Sequence, residues 1–183
     1  MGNVVYVATS LDGYIAASDG GLDWLHAVPN PEGNDYGWAE FISGIDAIVM
    51  GRNTFETVLG FDNWPYGPKV FVLSTALTSV PEHLVDRVEI RSGDVNTIVS
   101  DLNQAGYNNL YVDGGNTIQR FLAADQIDTL IITTIPVLLG NGIPLFGDLS
   151  TTIPFQLRKS EQLGSQLVKN YYTRDRECNS PGT

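Results

Sequence analysis

Sulfur is almost absent from this chain. One cysteine, Cys178, stands near the end of 183 residues. That excludes an intramolecular disulfide and a thiolate-rich zinc site. Positive charge is scarce. Ten Lys and Arg against 21 Asp and Glu give a formal net charge of −11. A surface that acidic repels phosphate backbones and anionic headgroups at long range, so nucleic acid and membrane are not expected partners. Any anion must be held by a few local donors. Long apolar runs are also missing: the best candidate, Leu130 to Leu139, is broken by Thr133, Thr134 and Pro136. The opening residues show no basic stretch followed by a long apolar run, so a cytoplasmic protein is expected. Neither the GxGxxG fingerprint nor the Walker P-loop occurs, which removes the ordinary Rossmann and nucleotide-hydrolase readings.

What remains is an ordinary globular composition, with 43% hydrophobic and 17% charged residues. The length suits one domain, expected over residues 1–174, with 175–183 as a flexible polar tail. Short β-branched runs alternate with helical patterns. Val4–Ala8, Ala47–Met50, Val70–Leu73, Val88–Ile90, Leu110–Val112 and Thr129–Val137 read as strands. Asp35–Ser43, Asn53–Val58, Asp94–Ala105 and Thr117–Ala124 read as helices, the third capped by Asp94 and ended by Gly106. Phe155–Lys159 and Gln166–Tyr172 read as an antiparallel pair around Gly164. The strand–helix alternation predicts an α/β fold: a mostly parallel central sheet, helices on both faces, and an antiparallel C-terminal edge hairpin. Ligands of such sheets bind beyond the carboxyl ends of the strands.

Three strand ends there carry unusual residues. They are Gly51-Arg52-Asn53-Thr54, Ser74-Thr75 and Asp113-Gly114-Gly115-Asn116-Thr117. Glycine before a helix N-terminus exposes N–H groups where the helix dipole favours an anion, so together these ends suit the phosphates of a dinucleotide. Singly, each has a plainer reading. The glycines are turn residues, Arg52 can pair with Glu56 four residues on, and Ser74-Thr75 can cap a turn.

These motifs carry a resemblance. Met50-Gly51-Arg52-Asn53-Thr54-Phe55-Glu56 resembles the M-G-R-x-T-[WF]-E signature of dihydrofolate reductases. Val72-Leu73-Ser74-Thr75 and Gly114-Gly115 are similar to that family's serine-ended strand and paired glycines. Ser10-Leu11-Asp12-Gly13-Tyr14-Ile15-Ala16 and Pro136 to Phe146 resemble the pyrimidine reductase domain of riboflavin biosynthesis, the C-terminal domain of RibD. The resemblance covers about residues 3–174 and implies a dihydrofolate reductase-like fold with NADPH as cofactor. It places Arg52 and Thr54 at the cofactor phosphates beside Gly51. Ser74, Thr75 and Arg91 would lie at the 2′-phosphate, and Gly114, Gly115, Asn116 and Thr117 at the pyrophosphate. Ala8 and Ile15 would flank the nicotinamide. It also implies a cis bond between Gly114 and Gly115, and a homodimer through the strand from Leu130 and the final hairpin. The zinc deaminase often fused to this domain needs H-x-E and P-C-x-x-C, which His26, His83 and Cys178 do not provide.

Asp35 falls at the spacing of the reductases' substrate-facing carboxylate. It also starts a helix, where aspartate is a common cap. The 19–35 segment departs from both branches. Trp24, Trp38, Trp64 and Tyr66 offer stacking surfaces for a flat heterocycle, or ordinary core aromatics. No metal is expected. The reading is an NADPH-dependent reductase of a small pteridine- or pyrimidine-like heterocycle; the alternative is an NADP(H)-binding protein without turnover.

Overall fold

The computed structural model describes residues 2–176. Its strands are β1 (Asn3–Thr9), β2 (Tyr14–Ala16), β3 (Ala47–Gly51), β4 (Lys69–Leu73), β5 (Val88–Arg91), β6 (Leu110–Asp113), β7 (Thr129–Thr134), β8 (Ile143–Pro144), β9 (Phe155–Leu163) and β10 (Leu167–Arg174). Its α-helices are α1 (Asp23–His26), α2 (Trp38–Ser43), α3 (Arg52–Leu59), α4 (Val95–Gln104) and α5 (Gly115–Ala123).

Eight strands form one sheet in the order β5-β4-β3-β6-β1-β7-β10-β9. The pairs from β5 through to β7 are parallel, and β10 runs antiparallel to β7 and β9. β2 and β8 pair as a separate small ribbon. Successive strand side chains point to opposite faces, and this sorts the core into two halves. Val5, Val49, Phe71 and Val112 face α4 and α5. Ile48, Met50, Val72 and Tyr111 face the α2 and α3 side, where Phe55 and Val58 meet them. Helices therefore cover both faces, as the alternation predicts.

The expected elements shift at their ends for identifiable reasons. The helix expected from Asp35 begins at Trp38, because Asp35, Tyr36 and Gly37 form the turn ahead of it, with Tyr36 at φ +53° and Gly37 at +84°. The strand expected to run to Val137 stops at Thr134; Pro136 has no N–H to continue a ladder. α4 keeps its expected cap, with Asp94 Oδ1 accepting from the Thr97 N–H at 3.1 Å. The hairpin strands are longer than expected on both sides of Gly164, which turns the chain at φ +56°. β2, β8 and α1 are too short for periodicity to reveal.

The packed part runs past 174: Arg176 Nη1 donates to Asp128 Oδ1 at 2.7 Å. The remainder of the expected tail, 177–183 with Cys178, lies outside the described residues. Among the described residues no helix is long and apolar enough to cross a membrane.

Candidate functional site

The parallel strands all end on one side of the sheet, and a cavity of about 1230 Å³ opens there. It runs past the ends of β5, β4, β3, β6 and β1, which are neighbours in that order. Four strand spacings put its two extremes about 19 Å apart, a span suited to an extended dinucleotide.

α3 and α5 begin at this cavity, at Gly51 and Gly114, and neither N-terminus has a side-chain cap. α4, which starts at the far end of the row, is capped by Asp94. The first-turn N–H groups of α3 and α5 are thus left to an anion from outside. The two helix starts are locked against each other. Thr117 Oγ1 stands where a Cβ on Gly51 would reach, at 2.9 Å, and Thr54 Oγ1 stands where a Cβ on Gly114 would fall. Gly114 has φ +88°, a region that favours glycine. No cis peptide bond occurs among the described residues, so the expected cis link between Gly114 and Gly115 is corrected. Positive φ at Gly114 makes the turn instead, and its N–H donates to Asp113 Oδ1 at 2.8 Å.

The structure brings the expected cofactor residues to this one cavity, from Ala8 and Ile15 at one end to Ser74, Thr75 and Arg91 at the other. Arg52 and Thr54, with the Gly114–Thr117 turn, lie between them. The plainer readings are present as well. Arg52 Nε lies 3.7 Å from Glu56, an exposed pair worth little by itself. Ser74 Oγ accepts from the N–H groups of Ala76 and Leu77 at 3.1 and 2.9 Å. That turn leaves the hydroxyl hydrogen free to be donated. Arg91 Nη2 pairs with Glu89 at 2.6 Å.

Asp35 does not line the cavity. It is exposed, and its carboxylate accepts from the N–H groups of Gly37 and Ala39, each at 2.9 Å. These bonds hold its pKa below the usual value, with Ala39 the larger influence. An acid held ionised is a poor proton donor, so Asp35 serves α2 as a capping residue. Of the four expected substrate aromatics, only Tyr66 lines the cavity. Trp38 packs among Tyr6, Phe41 and Tyr111, with ring centroids 5.7–5.8 Å away. Trp64 meets Phe55 and Tyr66 edge-on at 6.2 and 5.5 Å. Trp24 lies in α1 and does not line the cavity, although Leu22 and Leu25 on either side of it in the chain do.

Sequence reasoning gave no role to Asp113, Tyr6, Tyr111 or Arg120, all of which line the cavity. Asp113 ends β6, with the hydroxyls of Tyr66 and Tyr111 near its carboxyl; that of Tyr111 donates to the Tyr6 carbonyl at 3.1 Å. Burial pushes its carboxyl above the usual range despite these hydroxyls and the Gly114 N–H. The available signal was a carboxylate closing an apolar strand. Tyr6 is pushed up to about 12, chiefly by burial. Its hydroxyl donates to the Tyr36 carbonyl at 2.9 Å and accepts from Lys169 Nζ at 2.8 Å. Lys169 is 1% exposed and also donates to the Tyr36 carbonyl. This network ties the end of the 27–37 segment to β1 and β10 beside the cavity. Arg120, on α5, donates from Nη2 to the Gly93 carbonyl at 3.2 Å.

Comparison with known proteins agrees with this geometry. The profile of the RibD C-terminal domain matches residues 4–169. The crystal structure of the "Putative riboflavin biosynthesis protein" from Shewanella sp. PV-4 superposes with a TM-score of 0.93 at 50% identity, over 96% of this chain and 100% of that one. A diaminohydroxyphosphoribosylaminopyrimidine deaminase/5-amino-6-(5-phosphoribosylamino)uracil reductase from Thermotoga maritima shares the fold at TM-score 0.73 and 15% identity, over 94% of this chain and 56% of that one. So does the dihydrofolate reductase of Enterococcus faecalis, solved with NADP(H) and RAB-propyl, at TM-score 0.61 and 20% identity, covering 94% and 96%. With its dinucleotide-length cavity, its uncapped helix starts and its sheet order, the chain belongs to the RibD C-terminal domain family, on the dihydrofolate reductase-like fold.

Proposed function

We propose that this protein is an NADPH-dependent reductase that transfers hydride to a small flat heterocycle. The observation that carries the reading is the cavity's division into unlike ends. Its β5 end has Arg91 with Ser74 and Thr75, and its β1 end has Tyr6, Ala8 and Ile15; between them Arg52 and the bare starts of α3 and α5 stand beside Asp113, with Tyr66 and Tyr111. The Enterococcus reductase of the same fold was solved with NADP(H), and the cradle of Gly51, Gly114 and Gly115 suits that group's phosphates. Ser74 and Thr75 would sit at its adenosine end and Ala8 at its nicotinamide end.

When bound, the nicotinamide supplies the hydride. The chain's own part is positioning and charge. The first turns of α3 and α5, with Arg52, fix the phosphates and hence the distance from β3 to β1. Ile15 and Ile143 wall the β1 end, and the Asp12 carboxylate holds that wall shut by accepting from the N–H groups of Leu139 and Gly140 at 3.1 and 2.7 Å. Asp113, whose carboxyl burial pushes above the usual range, is the group placed to hydrogen-bond a substrate nitrogen or oxygen beside the carbon being reduced. Its proton can follow the hydride onto that atom.

The test is a titration with NADPH and NADH followed by tryptophan fluorescence, then a turnover screen over oxidised pteridines, pyrimidines and related imines. NADPH binding with oxidation by one of these supports the reading. Binding without any turnover favours the alternative of a nucleotide-binding protein, and no binding of either dinucleotide ends both. Arg52→Ala should weaken NADPH by about 1–3 kcal/mol, the cost of a lost charge-assisted contact. Unchanged affinity in that variant would remove Arg52 from the phosphate site.

A further inference from the structure

Three arginines face the cavity, and their charges are met differently. Arg52 has Glu56 at 3.7 Å and Arg91 has Glu89 at 2.6 Å. Arg120 has no carboxylate partner among the described residues, in a chain with 21 carboxylate side chains. Its bond goes to the Gly93 carbonyl. A carbonyl fixes a guanidinium without cancelling its charge, and it leaves most of the five donors unspent. Arg120 lies in the last turn of α5, where a cation favours the helix dipole. Yet its contact is to another segment, the loop leaving β5, two residues beyond Arg91. Ser92 and Gly93 line the cavity between the two arginines, and Ser74 and Thr75 lie on the neighbouring strand end.

We propose that Arg120 is the residue by which this protein distinguishes NADPH from NADH, gripping the adenosine 2′-phosphate from α5 across the Ser92–Gly93 loop. The assignment rests on the reductase reading above and extends it to a side chain that the strand-end motifs do not contain. Arg91, tethered to Glu89, shares its charge with that carboxylate. Arg120 brings an undivided one. Ser74, whose hydroxyl hydrogen is not used by its turn, completes the ring of donors.

The experiment compares the dissociation constants of NADPH and NADH for the wild-type protein, Arg120→Ala and Arg120→Gln. Glutamine keeps a donor for the Gly93 carbonyl and removes the charge, so it separates recognition from any loosening of the loop. Both variants should lose about ten- to a hundredfold in NADPH affinity while NADH changes by less than about twofold. Adenosine 2′-phosphate should compete with NADPH on the wild type and fail to do so on the variants at the same concentration. Equal weakening of both dinucleotides would move Arg120 to the pyrophosphate, and unchanged NADPH affinity would leave it no role; either overturns the assignment alone. A wild-type protein that binds neither dinucleotide overturns the reductase reading and this one with it.

Discussion

Asp113 is under two opposed influences, and the balance sets its chemistry. The Gly114 N–H and two tyrosine hydroxyls favour the charged carboxylate, while burial disfavours it more strongly and raises the pKa from the ordinary 3.8. The sign of the consequence follows. A group whose folded pKa lies above its unfolded value binds its proton more tightly in the native state. It therefore stabilises fully below pH 3.8, and that contribution is lost as pH rises through the raised value. Asp113→Asn cannot titrate, so its melting temperature should lack the fall that the wild type shows over this window. Matched thermal melts from pH 3.5 to 7 read the difference, and parallel curves would mean that Asp113 is not perturbed. The same variant keeps the shape and loses the acid. NADPH affinity should hold while turnover falls about 10²- to 10⁴-fold. Asp35, by contrast, has its ionised form stabilised by backbone N–H groups. Spacing pointed to Asp35 with a helix cap as its other reading, and it could not separate these two carboxylates, because burial is not written in spacing.

At the scale of elements, the starts of α3 and α5 carry the largest constraint. Gly114 combines φ +88° with the Thr54 side chain in the place of a Cβ. Gly114→Ala should cost about 1–3 kcal/mol in strain and displacement, seen in denaturant unfolding, and should weaken NADPH by separating the two helix starts. Gly67→Ala is the control, since nothing lies near its Cβ position. Equal stability of the two variants would show that the contact with Thr54 is easily relieved. These strand ends were legible in the sequence because glycine, arginine and hydroxyl residues at a strand–helix junction reflect a local chemical need. The strands were legible because Val4–Ala8, Ala47–Met50 and Leu110–Val112 are short apolar runs rich in β-branched residues, as strands covered on both faces are. Less was visible wherever meaning depends on distant neighbours. Trp38 reads as a stacking surface in sequence and is taken up by Tyr6, Phe41 and Tyr111 in the fold. Arg120 carries no signal in the sequence, and the Gly93 carbonyl, 27 residues away, fixes its direction. The ribbon of β2 and β8 joins short segments far apart in the chain, which no local pattern could pair.

At the scale of the molecule, charge and apolar exposure bear on how many copies associate. Leu157 is 57% exposed and Val168 40% exposed, and the register of β9 and β10 puts both on the face that carries Tyr172. Leu138, at 74%, is exposed just beyond β7. We propose that a second copy covers this face, as two-fold pairs are the commonest oligomers and an exposed apolar patch is a frequent sign of one. Two chains of net charge −11 repel at long range. The hairpin is the part where they can meet, because its accessible charges, Arg158 and Lys159 against Glu161, are not dominated by carboxylates as the rest of the chain is. The repulsion elsewhere is screened by salt, whereas the apolar contact is not. Association should therefore strengthen as ionic strength rises, the reverse of an interface held by ion pairs. Light scattering should give a dimer, about twice the 19.9 kDa chain mass, with a larger dimer fraction at high salt. Leu157→Lys should return the mass to that of one chain while NADPH affinity persists, since the cavity lies on the other side of β1. A wild-type protein of single-chain mass at every salt concentration would leave the face uncovered and the proposal without support.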